Sequence, residues 1–110
     1  MQVLIDECLP NRFRKQFPDH EVHKVHSTHW AGFGGKRNGE LLRATDRSGY
    51  HVLITIDKGI PFQHNFSGIS ITLIVMRAKS NKLKDLIPFV ARIRQILATN
   101  PKGLTYVEAE

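Results

Sequence analysis

Residues 69–76 read ISITLIVM, a continuous β-branched run with no charge in it. A strand exposed on one face alternates apolar with polar side chains, whereas a run of this kind belongs at the centre of a sheet covered on both faces. Such burial is the habit of parallel sheets, whose crossover connections lay helices over the faces. One octapeptide therefore narrows the choice of architecture to an α/β fold.

The rest of the chain fits that frame. QVLI (2–5) is a short apolar strand, and Pro10 suits the first position of a helix that buries Phe13 and Phe17 and stops at Pro18. EVHKVH (21–26) reads as a second strand, and THWAGFGGKRN (28–38) as a loop. Asn38 is placed to cap a helix running to about Ser48, with Leu41, Leu42 and Thr45 inward and Gly49 as its stop. A third strand spans 51–56, followed by the irregular DKGIPFQHNFSG. After 69–76, apolar positions 83, 86, 87, 90, 93 and 97 keep helical spacing, with Pro88 either starting or kinking the main helix. LTYV (104–107) closes the chain as an edge strand. No repeat or linker divides these 110 residues, so 1–110 is one domain, a mostly parallel sheet between helices.

Composition limits the setting. The single cysteine, Cys8, forms no disulfide within the chain, no apolar run is long enough for a membrane span, and the N-terminus enters a strand directly. These features predict a cytoplasmic protein without a membrane partner. Sixteen Lys and Arg against ten Asp and Glu give a net charge of +6 and a pI near 9.8, which favours polyanionic partners, RNA first among them.

Two strands end on acids: VLIDE places Asp6 and Glu7 after the first, and VLITIDKG places Asp57 after the third. In a parallel sheet, strand ends of this kind lie along one edge, where open α/β sheets bind ligands. Carboxylates about 4 Å apart repel by roughly 1–4 kcal/mol at effective dielectric constants of 80 to 20, so a proton or a cation must neutralise them. Carboxylate oxygens are hard ligands suited to Mg²⁺ or Mn²⁺. Next to a surface that attracts polyanions, such a site points to phosphodiester hydrolysis. Asp6 and Asp57 are the expected metal ligands, with Glu40, in the first turn of the central helix, as the third acid. Glu7 alternates away from Asp6, and Asn38 serves first as a cap.

The order VLIDECLP, NGELL, VLITIDKG, LIVMRAKSN resembles that of the PIN-like nucleases, in particular a small bacterial PIN-like family linked to toxin components. The likeness takes in about 100 of the 110 residues. It implies a three-layer α/β/α sandwich and a metal-dependent ribonuclease. On that pattern Asp6 is the acid after the first strand, Asp57 the acid of Thr55-Ile56-Asp57, and Glu40 the acid of the central helix. Many relatives carry Asp where this chain has Asn38, which removes a negative charge from the site. Ser80, Asn81 and Asp85 are the candidates for a fourth position. An antitoxin protein and a second copy of the chain are the further partners that the resemblance suggests.

Lys36, Arg37, Lys58, Arg77, Lys79 and Lys82 fall in or beside loops assigned to the acidic edge, where they would draw in a phosphate backbone. Trp30 and Phe33 offer stacking surfaces for bases or a cover for the core. His20, His23, His26 and His29 recur every third residue, but on a strand that spacing alternates faces and makes a shared metal ion a poor expectation. Gln63 and His64 are within the loop after Asp57. Cys8 lies among acids that disfavour a thiolate.

Three functions follow as expectations. The first is a Mg²⁺-dependent endoribonuclease, as the toxin of a toxin–antitoxin pair. The second is a nucleic-acid-binding module with a degenerate site, suggested by Asn38. The third is a receiver-like phosphoacceptor, which also ends its first and third strands on acids but needs a hydroxyl after the fourth and a lysine after the fifth.

Overall fold

Five short strands form one sheet in the computed structural model, which describes residues 2–24, 46–56, 70–99 and 103–108. They are β1 (Gln2–Ile5), β2 (Glu21–Lys24), β3 (Val52–Thr55), β4 (Thr72–Met76) and β5 (Leu104–Val107). Their order is β2-β1-β3-β4-β5, and every neighbouring pair is parallel. The α/β class and the parallel sheet read from the sequence are thus present. β4 is buried at all five of its positions, as its uncharged run requires, and β5 lies at the edge as expected.

Register aligns like with like. Ile5 pairs with Ile54 and Ile54 with Ile74, while Leu4 pairs with Leu53 and Leu53 with Leu73. Because side chains alternate along a strand, these two ladders belong to opposite faces. On the first face Val3, Ile5, Val52, Ile54, Ile74 and Met76 form the larger core. On the second, Leu4, Leu53, Ile71, Leu73 and Val75 cluster, with Tyr50 and Tyr106 packed against them. Each fully buried Leu, Ile or Val contributes about 1.5–3 kcal/mol relative to exposure, so the two ladders dominate stability.

The connections are built from helical turns. η1 (Asn11–Gln16) joins β1 to β2, and α1 (Leu83–Leu86), η2 (Ile87–Phe89) and α2 (Val90–Ala98) join β4 to β5. η1 is a 3₁₀ helix, where an ordinary helix beginning at Pro10 was expected. Pro10 is its extended N-cap, and Phe17, the residue before Pro18, is turned out of helical geometry. With so few residues between two prolines, the tighter turn is sufficient to bury Phe13 and Phe17, which meet edge to face at 5.3 Å. Pro88 kinks the second connection, as one of the two expected outcomes had it. The chain tightens to 3₁₀ at Ile87–Phe89, so Phe89 turns inward and Ile87 is left 43% exposed.

Both connections pack on the first face: Phe13 and Phe17 share its core with Leu86, Phe89, Ile93 and Leu97. Arg94 of α2 also reaches Asp19, beyond η1, at 2.9 Å. β1-to-β2 and β4-to-β5 lead in opposite directions across the sheet, so two crossovers on one face have opposite hands. One of them departs from the usual right-handed rule. The helix expected over residues 38–48 lies mostly outside the described residues. Asp46 and Arg47 are helical, and Gly49, at φ +86°, turns the chain toward β3 with its N–H on the Asp46 carbonyl.

Among the described residues no helix is long and apolar enough to cross a membrane.

Candidate functional site

The strand order reverses between β1 and β3: the chain leaves β1 for β2 on one side and returns past β1 to reach β3 on the other. Crevices at such switch points, beyond the carboxyl ends of the strands, are where open α/β sheets hold ligands. Asp6 stands at this place. Its N–H continues the β1–β3 pairing by one step, donating to the Ile54 carbonyl at 3.0 Å, and its own carbonyl accepts from Leu9 N–H at 3.0 Å. The backbone on both sides of Asp6 is therefore fixed.

Its side chain is 1% exposed. Thr55, the last residue of β3 and itself fully buried, donates its hydroxyl hydrogen to Asp6 Oδ2 at 2.7 Å. A buried carboxylate is costly unless it is hydrogen-bonded, ion-paired or bound to a metal, and a hydroxyl bond to a charged acceptor is worth about 1.5–3 kcal/mol. Thr55 was visible in the sequence only as part of a motif. Its place at the end of an apolar strand, two residues before an acid, is the signal that marks it.

The loop after β4 reaches the turn that follows Asp6. Asn81 donates its side-chain N–H to the Cys8 carbonyl at 2.9 Å, joining the turn that follows Asp6 to the segment that leads into α1. Asn81 was expected as a supporting residue, and the structure brings it to the β1 loop. Glu7 and Cys8 are half-buried in that turn. Ser80 belongs to a separate cluster. Its hydroxyl donates to Asp85 Oδ2 at 2.5 Å and accepts the Lys82 N–H at 3.0 Å, just ahead of α1. The Ser80 bond, with Lys79 and the neighbouring lysines 84 and 82 adding to it, holds the Asp85 carboxyl below its ordinary value against the opposing effect of burial.

The expected basic rim is only partly described. Arg77 follows β4, lies over the Tyr106 ring at 4.6 Å and pairs with Glu108 at 3.1 Å. Lys79 approaches Asp85 at 3.7 Å, and Lys82 is exposed. Lys84, which the sequence reading passed over, lines the same cleft as Arg77 and Lys79. A lysine at the second position of a short helix carries no pattern that would distinguish it.

Glu40, Asp57, Asn38, Lys36, Arg37 and Lys58 lie outside the described residues, as do His26, His29, Trp30, Phe33, Gln63 and His64. His20 and His23 sit by β2, where His23 contacts Glu21 at 3.3 Å and the Tyr50 ring edge to face. Burial and the Glu21 charge push the Tyr50 hydroxyl above its ordinary value. Among the described residues no three of His, Cys, Asp or Glu are grouped to hold a metal ion. Asp6 nevertheless suits one chemically, as a buried hard-oxygen donor at the switch point of the sheet.

No family model, no curated protein and no solved structure matches the chain.

Proposed function

We propose that this chain is a small PIN-like endoribonuclease that cleaves RNA phosphodiesters with a divalent metal at the β1/β3 crevice. The observation that carries the reading is the buried Asp6 carboxylate bonded to Thr55 at the switch point. In sequence Asp57 stands two residues beyond Thr55, at most about 7 Å of extended chain. The order of motifs along the chain and its positive charge support the same reading.

Asp6 and Asp57 would hold Mg²⁺ or Mn²⁺, with Glu40 as the third carboxylate. When bound, the ion supplies Lewis acidity toward a phosphoryl oxygen and lowers the pKa of water. Asp6 brings a negative charge whose direction Thr55 sets, so the donor does not have to reorganise when the cation arrives. Asn81 ties the β4 loop to the turn that follows Asp6. Basic side chains of the rim draw the strand in and fix its register without reading its bases.

A cytoplasmic setting and a toxin role within a toxin–antitoxin pair belong to the same proposal. The binding-module reading keeps the fold and loses the reaction, and Asn38 in place of a carboxylate is the observation that favours it. The phosphoacceptor reading is weakened at the ends of β4 and β5. Where it needs a hydroxyl and a lysine, Arg77 and Glu108 are paired with each other.

The test is single-turnover cleavage of a labelled RNA across a Mg²⁺ and Mn²⁺ series, for the wild type and Asp57→Asn. The nuclease reading predicts metal-dependent cleavage that the variant loses while its fold is retained. Undiminished cleavage by Asp57→Asn removes that residue from the mechanism. RNA binding without cleavage at any metal concentration favours the binding module.

A further inference from the structure

A cleft of about 340 Å³ opens beside the segment that leaves β4. Three cations line it, Arg77, Lys79 and Lys84, together with one acid, Asp85, and the apolar side chains of Pro88 and Phe89. The volume is at the small end of the 300–1,000 Å³ usual for small-molecule sites, large enough for one compact unit. The cleft has three positive charges against one negative, so an anion is its natural guest.

We propose that this cleft seats one nucleotide unit of a single-stranded RNA, with the phosphate against Lys79 and Lys84 and the sugar or base against Pro88. The proposal rests on the ribonuclease reading for its substrate class.

Each part of the lining has a role in it. Arg77 lies over the Tyr106 ring and beside Glu108, and forms one flank of the cleft. Lys79 is different. Its side chain is 83% exposed and its contact with Asp85 is long, at 3.7 Å. A pair at this distance with its lysine in solvent is worth little, and a phosphate oxygen that forms a charge-assisted bond can replace the carboxylate. Asp85 keeps its partner when Lys79 leaves, because Ser80 donates to its other oxygen. Pro88 is exposed beside the cations, and gives the apolar surface that a sugar or base needs next to a phosphate seat.

Position along the sheet supports a polymer over a lone anion. Arg77 follows β4 and Asp6 follows β1, two strands apart at the same edge, or about 10 Å at the usual strand spacing. The Asn81–Cys8 bond makes the loops of the two places continuous. A short single strand can therefore occupy the cleft and the crevice together.

The experiment is fluorescence anisotropy of a labelled oligouridylate over a KCl series, with EDTA present to prevent cleavage. The paired variant Lys79→Glu/Lys84→Glu is expected to bind about tenfold more weakly or worse. Its slope of log K against log salt should fall by about 1.4, two phosphate contacts at ~0.7 each. Lys79→Ala/Lys84→Ala should shift both in the same direction. Lys15→Glu/Arg47→Glu changes the net charge equally at exposed positions that do not line the cleft, and should change affinity less than about threefold. Asp85→Asn, which keeps an acceptor for Ser80, should bind about two- to fivefold tighter as a competing charge is removed.

Equal losses in the cleft pair and the control pair would overturn the seat, as would wild-type binding of inorganic phosphate without any binding of the oligonucleotide. Weakened binding by the cleft variants in a protein that never cleaves RNA would leave the seat standing and sink the ribonuclease. Cleavage with cleft and control pairs indistinguishable would do the reverse.

Discussion

Thr55 and Asp6 are 49 positions apart in the chain and 2.7 Å apart in the fold, hydroxyl to carboxylate, with both side chains buried. The bond crosses from β3 to β1 at the point where the strand order reverses, so it helps to orient the Asp6 carboxyl there. Thr55 is a positioning residue in this account, acting through Asp6.

Replacing that hydroxyl separates shape from hydrogen bonding. Thr55→Val keeps the volume and removes the donor, and should destabilise the protein by about 1–3 kcal/mol. It should also lower RNA cleavage through loss of Asp6 orientation, whereas Thr55→Ser should recover most of the activity. Denaturant unfolding gives the first quantity and single-turnover cleavage the second. Equal activity in the Val and Ser variants would show that the bond does not position Asp6.

Gly49 tests the turn into β3. At φ +86° a side chain is strained, yet a Cβ there would meet nothing within 4 Å. Gly49→Ala should therefore cost about 1–2 kcal/mol by backbone conformation alone. A change within error in urea unfolding would mean that the turn relaxes.

Asp85 makes stability depend on pH. Its folded carboxyl titrates below the ordinary 3.8, first because of the Ser80 bond. A depressed carboxyl adds stability that is present above the unfolded value and lost as pH falls through the folded one. Ser80→Ala should thus lower Tm at neutral pH, with the difference from wild type narrowing below about pH 3.8. A constant difference down to pH 2 would assign the loss to the bond from the Lys82 N–H to Ser80 alone.

The sheet was legible in the sequence because burial on two faces writes itself into one run of residues. ISITLIVM marked an interior strand, β4, which begins at Thr72, three residues later than the run, and the short runs at 2–5, 51–56 and 104–107 marked β1, β3 and β5 to within a residue at either end. Asp6 was legible for the same reason, as an acid where an apolar run stops. The 3₁₀ form of η1 was not, since the spacing of four between Phe13 and Phe17 suits an α-helix, whereas η1 ends at Gln16 and Phe17 is turned inward as its non-helical C-cap. Ile87 kept helical spacing in sequence and still came out exposed, because Pro88 changed the turn underneath it. The Asn81–Cys8 bond spans 73 positions, and no local pattern predicts a contact of that range. The placement of two opposite-handed connections on one face is likewise a property of the whole sheet and not of any segment.

A single measurement bears most directly on the central claim: anomalous diffraction from a crystal of the protein soaked in Mn²⁺. The account predicts a peak with Asp6 carboxylate oxygen in its coordination shell, at roughly the 2.0–2.2 Å expected for a small hard cation, and Asp57 on the same ion. Saturating Mn²⁺ that leaves Asp6 without a metal neighbour, its carboxylate still on Thr55, would contradict it.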